Sequence, residues 1–128
     1  MPPLILPTFI ELPRKRTKPK KVYITFNSMK TQHFQVYNAC KHAYLEIVRL
    51  QTPTHIPTPC RVICTHFPTG SRTCDVDNAF PVVKFVNDAM VTLGCLPGDD
   101  SKHIHEVLYR FGAPDKKNPR YEVEYVPL

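Results

Sequence analysis

No apolar run in this 128-residue chain approaches the roughly 18 consecutive residues that a membrane helix requires. The opening Met-Pro-Pro-Leu-Ile-Leu-Pro lacks the basic segment of a secretory leader and carries too many prolines for a signal helix. Internal repeats are absent, and no stretch marks a second domain. The five cysteines, Cys40, Cys60, Cys64, Cys74 and Cys95, are an odd number. With no secretory segment, that argues for reduced thiols in a cytosolic compartment. The expectation is one soluble, cytoplasmic domain over residues 1–128, with a real but modest core.

Acidic residues are also scarce: 11 Asp and Glu against 17 Lys and Arg, a net charge of +6. Such a balance favours polyanionic partners, nucleic acid first and an anionic membrane surface second. The shortage is local. Residues 1–42 hold eight cations and one acid, whereas the remaining 86 hold nine cations and ten acids. Six of the cations, Arg14, Lys15, Arg16, Lys18, Lys20 and Lys21, fall within eight positions. That run is a solvated loop or a phosphate contact, and Lys30 extends it.

Periodicity places the elements. Residues 4–11 read as a strand that Pro7 confines to an edge or bulge. Val22–Phe26 is β-branched and aromatic, the signature of a short strand. Over residues 31–50, Phe34, Tyr37, Cys40, Tyr44, Ile47 and Val48 recur at helical steps and form one apolar stripe, with Lys30, Lys41 and Arg49 outside it. Pro53, Pro57 and Pro59 end that helix. Arg61–His66 is a strand with a buried face. Residues 79–93 form a second helix, with Asn78 as N-cap, Phe80, Val83, Val86, Met90 and Leu93 inward, and Gly94 at C′. Two strands follow, Glu106–Phe111 and Arg120–Val126, joined by a polar hairpin loop over residues 112–119. This order implies an α/β (α+β) fold: a small mixed, mostly antiparallel sheet with two main helices packed on it.

The few acids gather once. Asp75 and Asp77, two apart, share a face in an extended segment. After the second helix, Asp99 and Asp100 can return to them. Carboxylates converging in a basic protein call for a cation among them, and hard divalent ions take oxygen ligands. This is the donor set of phosphodiester chemistry on DNA. The bland alternative makes Asp77 a helix cap and Asp99–Asp100 a turn. Lys84 lies on the helix between the acid groups. It either forms a surface pair with Asp88 or reaches the scissile phosphate. Cys60, Cys64, His66 and Cys74 match no familiar zinc spacing. Cys60 and Cys64 read as core.

The ordered set Val62-Ile-Cys-Thr-His-Phe-Pro, Cys74-Asp-Val-Asp-Asn78, Lys84-Phe-Val-Asn-Asp88-Ala89, Gly94 and Asp99-Asp100-Ser resembles the RusA-type Holliday junction resolvases. The likeness covers residues 58–128; the first 50 residues match only in outline. The step from the acid pair to Lys84 is longer than in that pattern, and the family's basic residue before the first acid is replaced by Cys74, with Arg72 two earlier. The resemblance implies a homodimer of phage or prophage type that resolves four-way DNA junctions by paired symmetric nicks. It implies Mg²⁺ or Mn²⁺ as cofactor, Asp75, Asp77 and Asp100 as metal ligands, and Lys84 as the catalytic lysine. The cations of the 14–21 run, Lys30 and Arg72 would hold DNA. Two rival readings use the same residues: a DNA- or junction-binding protein without catalysis, and a general metal nuclease on branched DNA.

Overall fold

The structure is a computed structural model that describes residues 1–71 and 73–128. Six strands and three helices follow in the order β1 (Leu4–Leu6), β2 (Phe9–Leu12), β3 (Lys20–Tyr23), α1 (Phe26–Met29), α2 (Phe34–Leu50), β4 (Cys60–Phe67), a 3₁₀ turn (Val76–Ala79), α3 (Phe80–Thr92), β5 (Ile104–Phe111) and β6 (Arg120–Pro127). Four strands form a mixed sheet in the order β1-β6-β4-β5, and β2 pairs with β3 as a separate antiparallel ribbon. Three of the four ladders are antiparallel; β4–β5 is parallel. This is the expected α+β architecture, and no helix is long and apolar enough to cross a membrane among the described residues.

One face of the sheet carries the core. Leu4, Leu6, Val62, Cys64, Tyr121 and Val123 are buried there with Tyr44 and Val48 of α2 and Phe85, Val86 and Met90 of α3. The opposite face carries ion pairs, Arg61–Glu106 at 3.1 Å and Arg120–Glu122 at 2.7 Å, as expected of a sheet solvated on one side. Cys60 and Cys64 are buried in the core, and burial pushes the Cys64 thiol up to about 12. Both behave as small apolar residues.

Several boundaries differ from the sequence expectation, each for a local reason. The segment 4–11 is two strands in two sheets. The chain changes sheet at Pro7, which has no N–H for a ladder, and whose carbonyl accepts a bond from the Tyr44 hydroxyl at 2.6 Å. The strand expected over 22–26 ends at Tyr23, because Thr25 caps α1 by accepting the Ser28 N–H at 3.2 Å. The first long helix, α2, starts at Phe34 instead of 31, where the His33 ring accepts the Gln35 N–H at 3.2 Å. That start leaves Phe34 exposed, outside the stripe. Asn78 is not the N-cap of α3. It lies inside the 3₁₀ turn, which runs directly into the helix and leaves Ala79 at the cap position. Phe80 is exposed, not inward. Gly94 does close α3, with φ +76°, a value that costs glycine little.

The segment 112–119 is not a hairpin loop. β5 and β6 are both neighbours of β4 and do not pair with each other. The loop therefore crosses the end of β4. There Gly112 packs so closely on Phe67 that a Cβ would lie 2.3 Å from the ring, which only glycine allows.

The two sheet edges differ. At β1, the Gln51 side chain accepts the Ile5 N–H at 2.9 Å and donates to the Ile5 carbonyl at 2.8 Å. At β5, Val107, Leu108 and Phe111 are exposed, and no strand covers the outer side among the described residues.

Candidate functional site

Asp75 ends the loop after β4 in an extended conformation, with φ −69° and ψ 138°. Asp77 sits inside the 3₁₀ turn, not on a strand. The i, i+2 alternation of an extended segment therefore does not apply. Both carboxylates nevertheless open into one cleft of about 280 Å³, lined also by Phe26, Asn27, Asn78, Phe80 and Tyr109.

Four elements build that cleft. The 3₁₀ turn brings the acids and lies against β5, where burial, with Cys64 and Asp77 adding, pushes the Tyr109 phenol up to about 12. Helix α1 brings Phe26 and Asn27, docked by a bond from the Asn27 N–H to the Asn78 side-chain carbonyl at 3.1 Å. Helix α3 begins with Phe80. Sequence reasoning missed Phe26 and Asn27, which lie some fifty positions from the acids and carry no local signal. Phe80 had a signal: an aromatic residue at the first helical position, beside Pro81, where a core role is weak.

Neither Asp75 nor Asp77 has a side-chain hydrogen bond or ion pair among the described residues. Two carboxylates lining one cleft suit Mg²⁺, which is held by one or two carboxylates together with water and substrate phosphate. The wider set does not gather. Among the described residues, no three His, Cys, Asp or Glu side chains lie close enough to hold an ion. Asp100 holds its own turn: it accepts the Lys102 N–H at 2.9 Å and faces His103 Nδ1 at 2.9 Å. The Lys102 N–H, with His103 adding, lowers the Asp100 carboxyl from its ordinary value. The Asp100 carbonyl also accepts the Ile104 N–H at 2.9 Å. Tyr109, beside Asp77, stands five residues along β5 from Ile104, roughly 16 Å further on.

Lys84 does not line the cleft. Its ammonium bonds Asp88 at 3.1 Å and Asp99 at 3.5 Å. The Asp88 bond, with Asp99 adding and partial burial opposing, raises the lysine above its ordinary value. Asp88 also pairs with Lys41 of α2 at 3.2 Å. Lys84 thus belongs to a chain of ion pairs that ties α2, α3 and the loop before β5.

The cationic run forms the tip of the β2–β3 ribbon. Arg14, Lys15, Arg16, Lys18 and Lys21 are exposed, and Lys20 is half-buried, donating to Gln32 at 3.3 Å. Strand β3 leads directly into α1, so the cationic tip and one wall of the acid cleft belong to one continuous segment. Lys30, at the end of α1, lies 5.6 Å from the Phe26 ring centre. Arg72 lies outside the described residues. No protein-family model and no curated protein matches the chain.

Proposed function

We propose that the chain is a metal-dependent endonuclease that resolves four-way DNA junctions by paired symmetric nicks. The observation that carries this reading is the pair of carboxylates, Asp75 and Asp77, without side-chain partners among the described residues and opening into one cleft on a chain of net charge +6. Asp75 and Asp77 would hold Mg²⁺ or Mn²⁺, which when bound neutralises the phosphate and activates water. Asp100, added by the resemblance, would join them only by leaving its turn, and Lys84 would reach the phosphate only by leaving Asp88 and Asp99. The ribbon cations hold the flanking phosphates and set the strand across the cleft. The test is cleavage of a labelled mobile four-way junction in Mg²⁺ and in EDTA, beside linear duplex and a flap. Paired nicks on the junction alone support the reading; cutting of all three substrates makes the chain a general nuclease.

One observation favours the second reading, a junction-binding protein that does not cut: Lys84 and Asp100 are both committed to neighbours. Junction binding in EDTA with no cut in Mg²⁺ or Mn²⁺ would decide for it.

Phosphate contact by the ribbon has its own readout. Neutralising Arg14, Arg16 and Lys18 should lower the salt dependence of DNA binding by roughly two to three units of slope. An unchanged slope would take the ribbon out of the interface.

The homodimer is the remaining part of the proposal, and the open β5 edge supports it. Gly112 donates to the His66 carbonyl at 2.8 Å. Backbone direction alternates along a strand, so Leu108 and Arg110 point their groups at β4, and Val107, Tyr109 and Phe111 point theirs outward. Antiparallel pairing of two copies about Leu108 would place Glu106 opposite Arg110 of the second copy, twice, a favourable cross-strand pair. Val107→Pro removes an N–H that the chain's own ladder does not use. It should turn a dimer into a monomer in light scattering, while Leu108→Cys should cross-link the dimer on oxidation. A dimer that survives Val107→Pro and resists cross-linking through Leu108→Cys lies elsewhere.

A further inference from the structure

We propose that the cleft beside Asp75 and Asp77 holds a nucleobase taken out of its stack, so that the substrate presents an unpaired nucleotide. This deepens the reading above and rests on its DNA-binding part. Phe26 and Phe80 are 50% and 53% exposed, and both also line a second hollow with Met29, Lys30, Tyr37 and Pro81. With Tyr109 they give the cleft apolar walls. Its rim is polar in both senses. The Asn78 carbonyl is taken by Asn27, which leaves its NH₂ to donate, and the two carboxylates accept.

A flat apolar face with donors and acceptors at its edge is the chemistry of a nucleobase. At about 280 Å³ the cleft lies just below the usual range of ligand sites, with room for one ring system. Charge selects a base that carries phosphates over an isolated aromatic molecule. Lys30 stands by the Phe26 ring, and the six-cation ribbon leads into the same helix. Base–aromatic stacking tolerates any sequence, because every base has a π-face. The cleft therefore reads strand geometry, not sequence, and sits where an unstacked base brings its own phosphate to the acids.

The test compares two single strands of equal length in EDTA, one of thymidine nucleotides and one of abasic nucleotides, which carry the same phosphates. The wild type should bind the base-bearing strand about five- to a hundredfold more tightly, the range for one stacked base. Phe26→Leu with Phe80→Leu, which keeps apolar volume and removes the rings, should abolish that preference at an unchanged melting temperature. Neutralising Arg14, Arg16 and Lys18 should weaken both complexes and keep the preference. Equal affinity of the wild type for the two strands, or a preference that survives the double Leu variant, overturns the base site and leaves DNA binding standing. Binding of neither strand nor of a four-way junction overturns the DNA reading and the base site with it.

Discussion

Asp75→Asn or Asp77→Asn should lower junction cleavage by about a hundred- to a thousandfold while leaving the fold unchanged. The size follows from what is removed: one of the two carboxylates that line the cleft among the described residues, a group that holds charge stabilisation at the scissile phosphate, where single losses cost roughly 10²–10³-fold. The fold should not notice. Both side chains are exposed and lack partners among the described residues, and surface changes of this kind stay within about 0.5 kcal/mol. Junction binding in EDTA should hold or strengthen, because each variant removes a negative charge that faces phosphate. Asp100→Asn separates a ligand from a turn residue. If Asp100 only holds its turn with Lys102 and His103, its variant loses some stability and cuts normally. If it joins the metal, cleavage falls as it does for Asp75→Asn. An Asp75→Asn protein that cuts at the wild-type rate in Mg²⁺ would remove the acid pair from the chemistry.

The elements whose periodicity answers to one buried face were legible in the sequence. Helix α2 kept Cys40, Tyr44 and Val48 inward, and β6 kept Tyr121 and Val123 inward against Arg120, Glu122 and Glu124, because burial of a stripe is a local consequence of side-chain direction. What failed was the choice of neighbour. Nothing within Glu106–Phe111 says that it pairs parallel to β4, since that pairing depends on α3 carrying the chain back across the sheet. The polar loop after it looked like a hairpin for the same reason. The acid site was half legible. Asp75 and Asp77 announce themselves as a pair, and the structure brings them to one cleft. The opposite wall, Phe26 and Asn27, is set by a single long-range bond to Asn78 that no local pattern encodes. Asp99 and Asp100 follow the second helix as expected, but the turn to β5 and the Lys84 ammonium take their carboxylates before they reach the pair.

Phe85→Ala should destabilise the protein by about 3–5 kcal/mol, the cost of emptying a fully buried aromatic site. Phe85 is fully buried against α2, with the Tyr37 and Tyr44 rings meeting it edge-on at 5.0 Å and 5.8 Å. Each such pair adds roughly 0.5–1.5 kcal/mol beyond the area buried. The Lys41–Asp88 bridge joins the same two helices at 3.2 Å, yet Lys41 is 44% exposed, and pairs of that kind contribute about 0–1 kcal/mol. Packing, not charge, therefore seats α3 on α2. Urea unfolding should show a large fall in midpoint for Phe85→Ala and a small one for Lys41→Ala; similar falls would mean that the ion pairs hold the helix. Domains of this size are stable by about 5–15 kcal/mol, so the alanine variant retains little margin. The consequence reaches the cleft, because α3 carries Phe80 and fixes the 3₁₀ turn that presents Asp77. Below its lowered unfolding midpoint, where α3 is still seated, Phe85→Ala should bind DNA and keep the base preference; above it, both should be lost together.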